Sequence, residues 1–496
     1  MRILLVTRED PHKALTGVAT YVRDLAAVLG RAGHEIAHLH VSPHPAWRRP
    51  RLRWSRRGHT LTGVVAVPAA GRTEEERLRA DVAWTEVDQL LAEALRRVRP
   101  AVLHVHDLSG IPASLVQTAQ EAGLPVVVTM HDFWPFCRQF LLVRPGLTPC
   151  SGSGGGRNCA TYCAAHPAPA GRRFARWADE SLPRGVREGV RWARALYRRR
   201  GGGSGSQFIV VNPPAPDRVP DPRIIAAYAK RETRMRETLL AADRLFTVSR
   251  SAKAMYVRHG YPEDRIHVLP LSLETVELAR RRLRTFERYP IRFGFLGRVT
   301  PWKGAHVLAE AARGVPAERA QFTFYGAVAP EDRAHLAALS GHHPGVVFAG
   351  RYTRRDLIRH LDAIDVAVFP SIMTETLGLV GLEAQAAGIP IIGAAHGAIA
   401  EYVQDGRNGL LFPPGDAGAL RERILRVVDH PDLIAHLSSA AGVPPRMGDH
   451  VQTVLAAYDD VVRARRQAAG PETGVAAAPP AGARRAPVGP QEETTA

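Results

Sequence analysis

Lysine is nearly absent from this chain. Only Lys13, Lys230, Lys253 and Lys303 occur among 66 basic residues, the rest being arginine, so a lysine beside a phosphate-binding loop stands apart from its background. Cysteine is confined to one short stretch. No run approaches the roughly 20 apolar residues of a membrane span, which excludes that class. After Met1-Arg2 the apolar run Ile3-Leu4-Leu5-Val6 stops before a secretion-length segment is complete. A cytoplasmic protein is therefore expected, with contact at the inner face of the membrane left open. The formal charge of +18 is carried by dispersed arginines. No nucleic-acid-binding motif accompanies it, so nucleic acid is not an expected partner. The sequence does not set an oligomeric state.

What is present is an alternation of short apolar runs with longer helical patterns, over 496 residues. That length exceeds one ordinary core, and the alternation is that of parallel sheets covered by helices. Strands are expected at 3–7, 35–41, 102–105, 126–129, 207–211 and 245–248, then at 291–296, 321–325, 346–348, 366–369 and 390–393. The division expected is an α/β domain over 1–285, a second over 286–450, a closing helix over 451–469 and a tail over 470–496. The tail is rich in proline, alanine and glycine and buries too little to order itself. Two such domains facing one another form a cleft at the carboxyl ends of their strands.

Glu375 and Glu383 bracket the run Glu375-Thr376-Leu377-Gly378-Leu379-Val380-Gly381-Leu382-Glu383. On a continuous helix eight positions span roughly 12 Å, a reach suited to a ligand with two hydroxyl-rich ends around a charged centre. The alternative is two acids on the first turns of a surface helix, where negative charge is favoured. After the strand 291–296 comes Gly297-Arg298-Val299-Thr300-Pro301-Trp302-Lys303-Gly304, whose Arg298 and Lys303 can neutralise a departing diphosphate. Thr16-Gly17 precedes a helix whose free amides can receive a phosphate or a sugar hydroxyl, though it is neither a Walker loop nor a dinucleotide fingerprint. His131-Asp132 follows the strand 126–129 at the cleft mouth. His131 can hydrogen-bond a sugar hydroxyl and exchange a proton near neutrality, Asp132 can position it, and His104 and His106 are acceptor-side candidates.

At these residues the chain resembles the family-4 retaining nucleotide-sugar glycosyltransferases, over roughly 1–465. The resemblance implies a GT-B fold, two Rossmann-like domains facing across a cleft. It implies His131, Arg298, Lys303 and Glu375 as catalytic groups, and Gly17, Arg298, Lys303, Glu375, Leu379 and Glu383 as the donor-binding set. Arg298 and Lys303 would hold the diphosphate, Glu375 the transferred sugar and Glu383 the ribose. The donor implied is a nucleotide-diphosphate sugar, with no catalytic metal. The acceptor is a hydroxyl on a small molecule or a lipid-linked or cell-surface glycan precursor. Transfer is expected by a front-face route with retained configuration. Two departures stand out. Thr16-Gly17 keeps only the second of the usual paired glycines, and His396-Gly397 replaces a later Gly-Gly. An epimerase or a sugar phosphorylase is the competing enzyme class, and a noncatalytic nucleotide-sugar binding protein the remoter one.

All four cysteines, Cys137, Cys150, Cys159 and Cys163, lie within 27 residues. A structural zinc site stapling the glycine-rich run 151–156 is one reading, and independent thiols or disulfides are the others. From Gly171 through Arg200, ten arginines are interleaved with Phe174, Trp177, Trp192 and Tyr197. That is either a peripheral contact with an anionic membrane or a solvated basic face.

Overall fold

The apolar runs become the strands of two separate sheets in the computed structural model of the chain. The structure describes residues 1–468 except 15, 45–48, 59, 69–71, 165–184, 187–188 and 190–218. The expected strand at 207–211, the tail, and the arginine-rich stretch apart from residues 185, 186 and 189 lie outside the described residues.

The first sheet holds β1 (Arg2–Thr7), β2 (Glu35–His44), β3 (Arg51–Arg57), β4 (Thr60–Pro68), β5 (Val102–Val105), β6 (Val126–Met130), β7 (Arg244–Thr247) and β8 (Ile266–Val268). Their order is β3-β4-β2-β1-β5-β6-β7-β8, parallel throughout except for the antiparallel edge strand β3. The second holds β9 (Ile291–Leu296), β10 (Ala320–Tyr325), β11 (Val346–Gly350), β12 (Val366–Phe369), β13 (Ile391–Ala394) and β14 (Gly409–Phe412), all parallel in the order β11-β10-β9-β12-β13-β14. Full burial of Ile3, Leu4, Leu5 and Val6 on β1 is what a parallel strand covered on both faces requires.

Each sheet has one place where the strand order reverses. β1 lies between β2 and β5, and β9 lies between β10 and β12. Connections leave in opposite directions there, so a crevice opens beyond the carboxyl ends of the strands. The loops after β1, β5, β9 and β12 occupy those two crevices.

The helix Gly17–Arg31 starts from Thr16, whose hydroxyl accepts the Ala19 amide at 3.4 Å, and it buries Tyr21, Val22, Leu25 and Leu29 on a helical stripe. The last helix, Met447–Ala468, buries Met447, Val451, Val454, Tyr458 and Val461 in the same cluster as Ile3, Leu5 and Tyr21. The chain thus crosses to the second sheet and returns to the first. Leu377, Leu382 and Ala386 join that cluster from the second lobe, so apolar packing runs across the seam. No helix among the described residues is long and apolar enough to cross a membrane.

Candidate functional site

The loop after β9 reaches the loop after β12 because Gly304 allows the two backbones to touch. Gly304 has φ +72°, and a Cβ there would fall 1.7 Å from the Pro370 carbonyl oxygen, a distance no other residue tolerates. The amides of Ile372 and Met373 both donate to the Trp302 carbonyl at 3.0 Å. Lys303 is thereby delivered to Glu375, and its Nζ donates to Oε1 at 2.5 Å. The Ser371 hydroxyl donates to the same oxygen at 2.6 Å.

A third element completes this pocket. The Ala398 amide donates to the Glu375 carbonyl at 2.9 Å, and a Cβ on Gly397 would meet that carbonyl oxygen at 2.7 Å. His396 Nε2 donates to the Ser371 carbonyl at 2.8 Å. The glycine retained in His396-Gly397 is thus the one the Glu375 backbone needs. Glu375 is buried. Burial alone would push its carboxyl up, but Lys303, then Ser371 and His396, outweigh it and hold the group below the ordinary range.

Gly378 takes φ +75°, and the helix that follows spans only Leu379–Ala386. Glu375 therefore lies in the loop and Glu383 inside the helix, so a single helical rise does not measure their separation. Nor do the acids sit on a surface helix, because Glu383 is only 5% exposed. The Thr275 hydroxyl donates to Glu383 Oε1. Burial pushes the Glu383 carboxyl up to about 7, against the lowering by Thr275 and Arg354. Arg298 is exposed and has no hydrogen-bond or ion-pair partner among the described residues.

The two crevices face each other at close contact. Thr376 Oγ1 donates to the His131 carbonyl at 2.7 Å. A Cβ on Gly17 would lie 3.1 Å from Leu379 Cδ1, which brings two residues of the expected donor set together from opposite lobes. Arg354 clasps buried Asp24 with both terminal nitrogens, Nη2 to Oδ2 at 2.6 Å. The Glu401 carboxylate accepts the Arg250 amide at 3.0 Å and the Ser251 amide, at the start of the helix that Ser249 caps.

Two family models match the chain along these same halves. One, described as Glycosyltransferase Family 4, covers residues 15–199, and one described as Glycosyl transferases group 1 covers residues 290–430. The chain is related to the family-4 glycosyltransferases. Among curated relatives it is 33% identical over 260 residues to a D-inositol 3-phosphate glycosyltransferase of Acidothermus cellulolyticus, covering 47% of this chain and 56% of that one. It is 28% identical over 191 residues to the amylovoran biosynthesis glycosyltransferase AmsK of Erwinia amylovora, covering 37% and 47%. The chain spans about half the length of the curated relatives it matches. Its fold is that of the sucrose-phosphate synthase of Thermosynechococcus elongatus, at TM-score 0.57 and 17% identity over 94% of this chain and 98% of that one. The catalytic domain of starch synthase IV from Arabidopsis thaliana gives 0.55 and 14% over 93% and 99%. The two Rossmann-like lobes are thus those of the GT-B fold.

On the first-lobe side histidines gather around the seam. His131 Nε2 pairs with His106 Nδ1 at 3.1 Å. His104 bridges Tyr458 of the last helix at 2.6 Å and Thr129 at 2.8 Å. His450 Nδ1 donates to the Pro270 carbonyl at 2.9 Å, so its Nε2 is the acceptor for the Tyr21 hydroxyl at 2.8 Å. Burial, with His450 nearby, pushes the His131 imidazolium down to about 3. The expected proton exchange near neutrality therefore does not fit this ring, which stays neutral as a hydrogen-bonding group. His104 and His106 are likewise held well down by burial; His104 ties the sheet to the last helix, while His106 pairs with His131 and keeps a buried, unpartnered Nε2. Asp132 accepts the Trp134 amide at 2.9 Å and is pushed up to about 7 by burial and by Asp107. Sequence reading passed over Asp24, Asp107, Thr275, Arg354 and Ser371, none of which stands in a recognisable local pattern.

The four cysteines carry free thiols, Cys137 and Cys159 buried. Cys159 and Cys163 hydrogen-bond to one another across one turn. No group of three or more histidine, cysteine, aspartate or glutamate side chains among the described residues is arranged to hold a metal ion.

Proposed function

We propose that this chain transfers a sugar from a nucleotide-diphosphate donor to an acceptor hydroxyl with retained anomeric configuration. The observation that carries the reading is the Lys303–Glu375 pair, 2.5 Å long and set where the crevice of the second sheet meets His131 of the first. The lobe over 286–450 would hold the donor and the lobe over 1–285 the acceptor. Lys303 and free Arg298 would neutralise the leaving diphosphate, which gives that charge a partner without a catalytic metal. Glu375, kept ionised, would accept a hydroxyl of the transferred sugar, and Glu383 those of the ribose. The bond from the anomeric carbon to the diphosphate oxygen breaks as the acceptor oxygen bonds on the same face. The acceptor proton passes to the departing phosphate oxygen. Neutral His131 would hydrogen-bond the sugar and carry no charge.

The test is release of nucleoside diphosphate from a panel of nucleotide sugars, with and without hydroxyl acceptors. D-inositol 3-phosphate belongs in that panel because curated relatives are named for it. Acceptor-dependent release, with the product anomer assigned by NMR, is the expected result. Donor rearrangement without an acceptor would point to an epimerase, and release requiring inorganic phosphate would point to a phosphorylase. Unchanged donor across the whole panel would sink the proposal.

A further inference from the structure

A cavity of about 450 Å³ opens away from the cleft and shares no residue with the seam between the lobes. Three elements enclose it: the loop at Ser153-Gly154-Gly155, the helix Pro222–Leu240, and Arg258, His259 and Gly260 at the end of the helix Arg250–Arg258. That last helix runs from the seam, where Glu401 caps it, to the cavity about 12 Å along its axis.

The walls have the chemistry of an anion site. Gly154, Gly155 and Gly156 all have positive φ, from +57° to +88°. A Cβ on Gly156 would fall 2.1 Å from the Ile225 carbonyl oxygen, so the loop is seated directly on the helix backbone. The amides of Gly154 and Gly155 have no acceptor among the described residues, and successive amides in such a turn favour an anion. Arg258 is exposed with no partner among the described residues. Arg236 spends one N–H on the His259 carbonyl at 3.2 Å and keeps its other donors.

The one acid in the wall is already engaged. Glu232 accepts the Ser153 hydroxyl and the Nδ1–H of His259, the latter at 3.1 Å. The His259 ring stacks on Phe136 with centroids 3.8 Å apart and planes 6° from parallel, which fixes its orientation. Its side chain is 9% exposed, and Nε2 is buried without a partner. That edge of the ring packs against Gly152, where a Cβ would fall 2.0 Å from Cε1 and 2.7 Å from Nε2.

We propose that this cavity binds a phosphate group of a small soluble molecule, at a site separate from the donor cleft. Arg258 and Arg236 supply charge-assisted donors and the Gly154 and Gly155 amides supply neutral ones, while His259 holds Glu232 away from the anion. The inference does not depend on the sugar-transfer reading.

Inorganic phosphate is the probe, titrated calorimetrically into the full chain at fixed ionic strength. The donor cleft also attracts phosphate, so the titration is repeated on the double variant Arg298→Ala, Lys303→Met. Expected is a phosphate-binding event that survives in that double variant. Arg258→Ala should weaken it at least about tenfold, the loss of one charge-assisted hydrogen bond, with the melting temperature unchanged. Any of three results overturns the proposal: no binding at tens of millimolar phosphate, binding indifferent to Arg258→Ala, or binding abolished in the cleft double variant. Arg258 is exposed and has no partner among the described residues, and the unchanged melting temperature separates lost binding from lost fold.

Discussion

The two walls of the cleft are built on opposite electrostatic plans. The second-lobe wall carries formal charge at close range, with Lys303 against Glu375 at 2.5 Å, and exposed Arg298 opens the same loop. Its backbone is locked by the glycine contacts at 304 and 397. The first-lobe wall is a neutral network in which burial holds His131 at about 3 and His450 at about 4, and tyrosine hydroxyls close the hydrogen bonds. A leaving diphosphate needs cations that are already oriented when its charge develops. A sugar or an acceptor alcohol needs directional hydrogen bonds without a competing charge. The contrast teaches that the division of labour lies in protonation state as much as in residue type.

The most severe break falls on the charged wall. Lys303→Ala removes a cation from the proposed diphosphate site and strips Glu375 of its only ion-pair partner among the described residues. Burial is then opposed only by Ser371 and His396, so that carboxyl moves up and its buried charge loses its counter-ion. Turnover should fall by roughly 10²–10³-fold, the range for losing one preorganised electrostatic group. Lys303→Ala combined with Glu375→Gln should melt above Lys303→Ala alone, because the uncompensated buried acid is gone. Steady-state release of nucleoside diphosphate and thermal melts check both parts. Wild-type turnover in Lys303→Ala would dissolve the distinction between the walls.

Glu383 sharpens the comparison from within the second lobe. Its carboxyl stands at about 7 in the folded chain against an ordinary value of 4.5, so between those values the folded state binds the extra proton. Its contribution to stability is fully present below pH 4.5 and is lost as pH rises through 7. Glu383→Gln keeps the neutral shape at every pH. It should match wild type near pH 4.5 and be more stable at pH 8 by on the order of 3 kcal/mol. Urea unfolding at the two pH values measures the difference. Nucleotide binding should weaken in the same variant if the carboxylate accepts ribose hydroxyls. Equal stability at pH 8 would mean that Glu383 is not held neutral by burial.

Much of the second lobe was legible because its strands announce themselves. Ile291–Leu296 and Val366–Phe369 are apolar runs long enough to be buried on both faces, and they emerge with the expected bounds. β3 was not legible. Arg51, Arg53, Arg56 and Arg57 lie on an edge strand, where only Leu52 and Trp54 pack inward, and its pairing is dictated by β4 rather than by its own residues. The Lys303 loop could be read as an anion site from local composition. Its contact with Glu375 could not, because it depends on Gly304 touching Pro370, 66 positions away. The helical ruler between Glu375 and Glu383 failed for a local reason, the left-handed turn at Gly378. Placement of His131 beside Thr376 is a tertiary fact, 245 residues apart in the chain.

The smallest effect tests whether the neutral wall is scaffold or chemistry. Tyr21→Phe removes the hydroxyl that donates to His450 Nε2 and leaves the ring volume in place. Because Nδ1 is committed to the Pro270 carbonyl, Nε2 cannot recover by tautomer exchange and stays an unmet acceptor inside the protein. The cost should be about 1–2 kcal/mol of stability, read by denaturant unfolding. Tyr21 also packs at a tilt against His131, with ring centroids 5.2 Å apart, and that contact survives the substitution. Turnover should therefore stay within about twofold of wild type, which a structural network requires. A larger fall in kcat at unchanged KM would mean that the hydrogen bond from the last helix holds the Tyr21 ring where it orients His131 for the reaction itself.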